Sequence, residues 1–144
     1  MPTYLEDLTI RLAVAVADLP EEIRGRHAKY VMAAQQEDGG FSGREGGSDL
    51  YYTGFALRSL AVLGELHGEL AEKAAGFLRG RLSGRESIVD FLSLIYGSAL
   101  LESAAGIDLF ANSPDSWRDA VASAMEALRR DDGGYADRKS TRLH

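Results

Sequence analysis

Apolar residues in this chain recur at spacings of three and four, while runs of strict alternation are scarce, so the pattern predicts helices throughout and an all-α fold. The first helix is expected over 4–17, where Leu8, Leu12, Val14, Val16 and several alanines make it apolar on most sides. Asp18-Leu19-Pro20 supplies a cap followed by a first-turn proline, and Glu21 and Glu22 suit the positive end of a second helix reaching about Gln36. That helix is two-faced, with Arg24, Arg26, His27 and Lys29 toward solvent and Ile23, Tyr30 and Val31 as its apolar side. After the glycine-rich loop 39–47, Ser48 or Asp49 caps a third helix that runs to Leu63 and stops at Gly64. A fourth, over 69–82, is charged along one side through Glu72, Lys73, Arg79 and Arg81. The fifth, over 87–104, carries charge only at Asp90 and Glu102 and is expected to be buried all round. Ser113-Pro114-Asp115 repeats the cap-plus-proline signature and starts a sixth helix that reaches about Arg130.

Odd helices are thus apolar and even helices amphipathic, the alternation required by an inner and an outer ring of a helical toroid. A repeated turn supports the same reading. Gln35-Gln36-Glu37-Asp38-Gly39-Gly40-Phe41 returns in altered form as Arg129-Arg130-Asp131-Asp132-Gly133-Gly134-Tyr135. Asp38 and Asp132 stand 94 residues apart, and half of that, about 47, is close to the roughly 40–47 residues of a two-helix repeat. A degenerate middle copy is expected over 81–90. Within the turn, paired glycines open backbone angles closed to other residues, Asp38 can accept local N–H bonds, and Phe41 can fold back on the helix pair. Gln35 is expected to tie the helix end to the next repeat. These are structural roles, so the motif specifies fold before chemistry.

Composition narrows the picture. At 144 residues and 45% hydrophobic the chain fits one domain at most. The absence of cysteine removes disulfides, thiolate metal ligands and a cysteine nucleophile together. A formal charge of −6, with no basic stripe, points away from nucleic acid. Glu6 and Asp7 interrupt any secretory signal, and the longest uncharged stretch, 91–101, is shorter than the roughly 20 residues of a membrane span, so a cytoplasmic address is expected. Residues 137–144 are basic and aperiodic, and Asp-Arg-Lys-Ser-Thr-Arg-Leu resembles a translated sequencing adapter, so they are expected to be a non-native tail on a domain of 1–136.

Tyr30 to Gly43, followed by Asp49-Leu50-Tyr51-Tyr52-Thr53-Gly54-Phe55-Ala56-Leu57, resembles the repeat of protein prenyltransferase beta subunits and squalene cyclases. The likeness is specific over 28–64 and weaker over 128–135. It implies a partial alpha/alpha toroid of about six helices, around half a ring, from a parent that binds or transforms an isoprenoid as a transferase or a terpene cyclase. The fragment itself is then expected to be inactive. The family's zinc is held by an Asp-x-Cys pair and a later histidine; here Asp49 stands at the aspartate, but Tyr51 replaces the cysteine and Tyr52 falls where the histidine would be. A phenol is a poor zinc ligand, so no cofactor is expected in these residues, and zinc only in a missing carboxy-terminal half. The Asp-x-Asp-Asp acid of the cyclases does not occur, and no catalytic residue is assigned. In prenyltransferases an arginine after Gly-Gly-Phe-x-Gly and a nearby tyrosine contact the isoprenoid diphosphate, and Arg44 and Tyr52 match those positions. Tyr51, Tyr52, Phe55 and Tyr96 are the aromatic candidates to line a central cavity for an isoprenoid or other apolar ligand. Gly54 and Gly97 are expected at close helix contacts, Trp117 between repeats, and His27 and His67 as solitary exposed histidines. The rival reading is a noncatalytic toroid module that binds a protein partner or itself.

Overall fold

The computed structural model describes residues 3–82, 87–111 and 117–136, and among them the chain forms six helices and no strand. They are α1 (Tyr4–Ala17), α2 (Glu21–Met32), α3 (Leu50–Val62), α4 (Gly68–Gly80), α5 (Ile88–Ala105) and α6 (Trp117–Ala127). The expected cap at 113–115, part of the expected middle turn at 83–86 and the tail 137–144 lie outside the described residues, as does the side chain of Trp117.

Local chemistry sets most boundaries. Thr3 and Glu6 close a reciprocal capping box at the start of α1. Asp49 accepts the Tyr52 N–H at 2.9 Å to start α3, and Ser87 accepts that of Asp90 at 3.1 Å to start α5. Asp18, expected to cap α2, instead ends α1 in a helical conformation (φ −78°, ψ −11°). Pro20 takes the N-cap position of α2 itself, with φ −52° and ψ 138°, leaving no side-chain cap there. The second helix also stops at Met32 rather than Gln36, because Gln35 turns away to pair its backbone with Phe41.

The odd helices pack in the order α1, α3, α5, while α2 lies on α3 and α4 on α5. The core sits among α3, α4 and α5, with Leu57, Leu60, Leu78 and Leu101 almost fully buried and Phe41 inserted from the loop after α2. A Cβ added at Gly97 would stand 3.2 Å from Leu78 and 3.3 Å from Leu57, and one at Gly54 3.6 Å from Ser93. Both glycines therefore mark close helix contacts, as their positions in apolar helices suggested.

Burial departs from a simple inner and outer division. Thr9 is the buried residue of α1, whereas Ile10 and Val14 (64% exposed) face outward. On α5, expected to be enclosed all round, Val89 and Leu92 are about half exposed. The eighteen-residue α5 has the length and composition of a membrane span, yet its Leu94, Gly97, Leu100 and Leu101 side is packed into the core. The even helix α4 is better buried than its charged side implied, through Ala71, Ala74, Ala75, Phe77 and Leu78. Tyr30, assigned to the apolar side of α2, is 81% exposed, and Val31 alone of that trio packs against the core. Helical periodicity identifies which residues share a face; the neighbour available to that face decides whether it is covered.

The turn after α2 is where sequence and packing agree most closely. The Gln36 N–H donates to Gly40 O at 2.8 Å, the Gly39 N–H to Gln36 O at 3.0 Å, and the Gly40 N–H to Asp38 Oδ1 at 3.0 Å. Gln35 Nε2 donates to both Gly39 O and Leu70 O at 3.0 Å, fastening the turn to α4. Gly39 sits at φ +89°, and a Cβ there would lie 2.0 Å from Lys73 O, so the turn touches the α4 backbone itself. The Phe41 N–H is satisfied by Thr53 Oγ1 at 2.9 Å, which lets the ring reach 1% exposure. The second turn repeats this pattern: the Arg130 N–H donates to Gly134 O at 2.7 Å, the Gly133 N–H to Arg130 O at 3.0 Å and the Gly134 N–H to Asp132 Oδ1 at 2.9 Å. Its Tyr135 is nevertheless 47% exposed, and no atom lies within 4 Å of a Cβ placed on Gly133. The hydrogen bonds of the turn are local and survive alone; the burial of its aromatic residue requires the neighbouring pair.

Candidate functional site

An apolar groove of about 1090 Å³ runs between α1 and α5, large beside the roughly 300–1,000 Å³ of ordinary ligand pockets. Leu5 and Ile10 line one wall, Val89 and Leu92 the other, and Ala61 of α3 contributes between them. Spacing explains the walls. Leu5, Thr9 and Ala13 stand four apart on α1, as do Leu92 and Tyr96 on α5, so each set shares one helix face.

The polar content of the groove is confined to hydroxyls and one carboxylate. Thr9 spends its only hydroxyl hydrogen on Leu5 O at 2.8 Å. The 3.2 Å contact between Thr9 Oγ1 and Tyr96 Oη therefore has the tyrosine as donor. Ser93 donates to Val89 O at 2.9 Å and Ser103 to Leu100 O at 3.3 Å, so these hydroxyl hydrogens are also committed to the helix. Glu6, half-buried in the lining, is held below its ordinary carboxylate pKa by hydrogen bonds from the backbone and then the side chain of Thr3. Among the described residues, the lining contains no Lys or Arg.

Of the five residues singled out from sequence, Tyr96 lines the groove, and the other four do not. Tyr51, Tyr52 and Phe55 form a separate exposed cluster at the start of α3, with Tyr51 edge-on to Tyr52 at 5.6 Å and to Phe55 at 4.8 Å. Arg44 is on the exposed loop before α3. The preceding Gly43 lies against Tyr52, a Cβ there falling 2.7 Å from the ring, so the loop and Tyr52 are neighbours. Arg44 has no ion-pair partner among the described residues. The helical repeat separates the two groups: Tyr51, Tyr52 and Phe55 occupy the first turns of α3, while the groove meets α3 at Ala61, near its other end.

The carboxylate at the family's zinc position is already used. Asp49 caps α3, and its neighbours Tyr51 and Tyr52 present phenols, so this stretch does not fit zinc. Among the described residues no group of three His, Asp or Glu is gathered to hold a metal. His27 is exposed, and His67 is exposed beside Glu65 at 3.4 Å rather than solitary.

Sequence reading missed Thr9 and the α1 wall. The available signal was the single threonine of α1, four residues from Leu5 and four from Ala13. Periodicity alone assigned that face to packing. The groove can enclose an apolar molecule and offer it oxygen lone pairs. The chain matches no protein-family model, no curated protein sequence and no solved structure.

Proposed function

We propose that this chain forms part of an alpha/alpha toroid of the prenyltransferase and squalene-cyclase type, and that its α1–α5 groove holds an apolar, isoprenoid-like molecule. The apolar groove between two odd helices carries this reading, because chain burial is its available source of affinity. Support for the toroid comes from the serial packing of α1, α3 and α5, the even helices set against the next odd one, and the two copies of one turn. A parent transferase or cyclase would supply its reacting groups from elsewhere, since fold by itself does not choose a reaction.

Displacement of a fluorescent alkyl probe by a fifteen-carbon isoprenoid tests the binding. Leu92→Arg introduces a charge at a half-exposed wall position and leaves the core intact, so the fold should persist while displacement is lost. Binding that ignores Leu92→Arg would remove the groove from consideration. A second reading, a noncatalytic interaction module, is favoured by the exposed Tyr51, Tyr52 and Phe55 cluster. Concentration-dependent sedimentation that disappears in Phe55→Lys, with no isoprenoid binding, would select it.

A further inference from the structure

The hydroxyls of the groove define the head group of its ligand. We infer that the groove takes a neutral apolar molecule ending in a hydrogen-bond donor, an isoprenoid alcohol rather than an isoprenoid diphosphate. This rests on the groove being a binding site, and adds what its polar atoms select.

Donor accounting leads to the choice. Thr9 gives its hydrogen to Leu5 O, Tyr96 gives its own to Thr9, and Ser93 and Ser103 give theirs to Val89 O and Leu100 O. Among the side chains of the described lining residues, what remains is a set of acceptors: the free lone pairs of Tyr96 Oη, Thr9 Oγ1 and Ser93 Oγ, with the Glu6 carboxylate. A diphosphate is acceptor-rich and multiply negative. It would meet acceptors and an anion, and no Lys or Arg among the described residues of the lining would compensate its lost hydration. An alcohol reverses the match. Its O–H donates to Tyr96 Oη while its chain lies along Leu5, Ile10, Val89 and Leu92, and the Tyr96–Thr9 bond stays intact. Arg44, the cation matched to diphosphate by resemblance, lies outside the lining and cannot rescue an anionic head group there.

The test compares three probes of one chain length in the displacement assay: farnesol, its methyl ether and farnesyl diphosphate. Farnesol should bind about two- to tenfold more tightly than the ether, the value of one net hydrogen bond, and more tightly than the diphosphate. In the Thr9→Val/Tyr96→Phe double variant the ether should bind as before and the preference for the alcohol should vanish. Diphosphate binding that equals or exceeds that of farnesol and is competed by farnesol would overturn the inference while leaving the groove as a site. An alcohol preference that survives in the double variant would also overturn it. Failure of all three probes would defeat both the inference and the binding reading. Should the double variant not fold, the ranking of the three probes on the unaltered protein decides alone.

Discussion

Replacing Gly39 by alanine tests whether the first turn is pressed against α4. Two separate costs arise. Gly39 has φ +89°, and a left-handed conformation costs a residue with a Cβ roughly 1–2 kcal/mol. The new Cβ would also fall 2.0 Å from Lys73 O and 2.5 Å from its carbonyl carbon. Helical backbone cannot move aside without breaking its own hydrogen bonds, so the turn must lift. Such overpacking costs about 1–3 kcal/mol, and lifting the turn also breaks the Gln35 bond to Leu70 O, worth about 1 kcal/mol. Gly39→Ala should therefore destabilise by about 3–6 kcal/mol. Gly46 provides the control, because its φ is also +89° but no atom lies within 4 Å of its added Cβ. Gly46→Ala should cost only the strain, about 1–2 kcal/mol. Urea denaturation of both variants, read from midpoints at unchanged slope, separates conformation from contact. Equal losses at the two positions would refute the close approach of the turn to α4.

The two copies of the turn also differ in what their aromatic residues contribute. Phe41→Ala should cost about 3–5 kcal/mol, since the ring is buried, whereas Tyr135→Ala should cost less than about 1 kcal/mol; comparable losses in thermal melts would contradict the difference in burial. Glu6 is lowered by its bonds to Thr3, so its folded pKa lies below the unfolded one. Its contribution to α1 is then complete above the unfolded glutamate value of about 4.3 and is lost as pH falls through the lowered folded value. Titration of Glu6 by NMR should place its midpoint below that of an unstructured glutamate, and a midpoint at or above it would exclude the capping box in solution.

Much of the fold was legible because its causes are local. The cap at Asp49, one of the two residues expected there, and the stop at Gly64 need only nearby side chains and backbone, and they occur where the sequence placed them. Asp18 misled because a cap and a C-terminal residue look alike in sequence, and Pro20, fixed in φ, occupied the capping position itself. The candidate site was half legible. Tyr96 belongs to the groove, but its partner Thr9 is 87 residues away, and no local pattern pairs a threonine on one helix with a tyrosine on another. Arg44 and Tyr52 were singled out as a pair by their motif, and the loop does bring Gly43 onto the Tyr52 ring, apart from the groove.

Sequence by itself determined the six helices and the hydrogen-bonded form of both glycine turns, because each rests on interactions spanning a few residues. Only the tertiary structure decided which apolar faces are covered. Identical turns bury Phe41 and expose Tyr135, and apolar helices enclose Leu57 and Leu101 but leave Val14 and Leu92 in the open. Burial depends on what stands opposite, and that neighbour comes from distant parts of the chain.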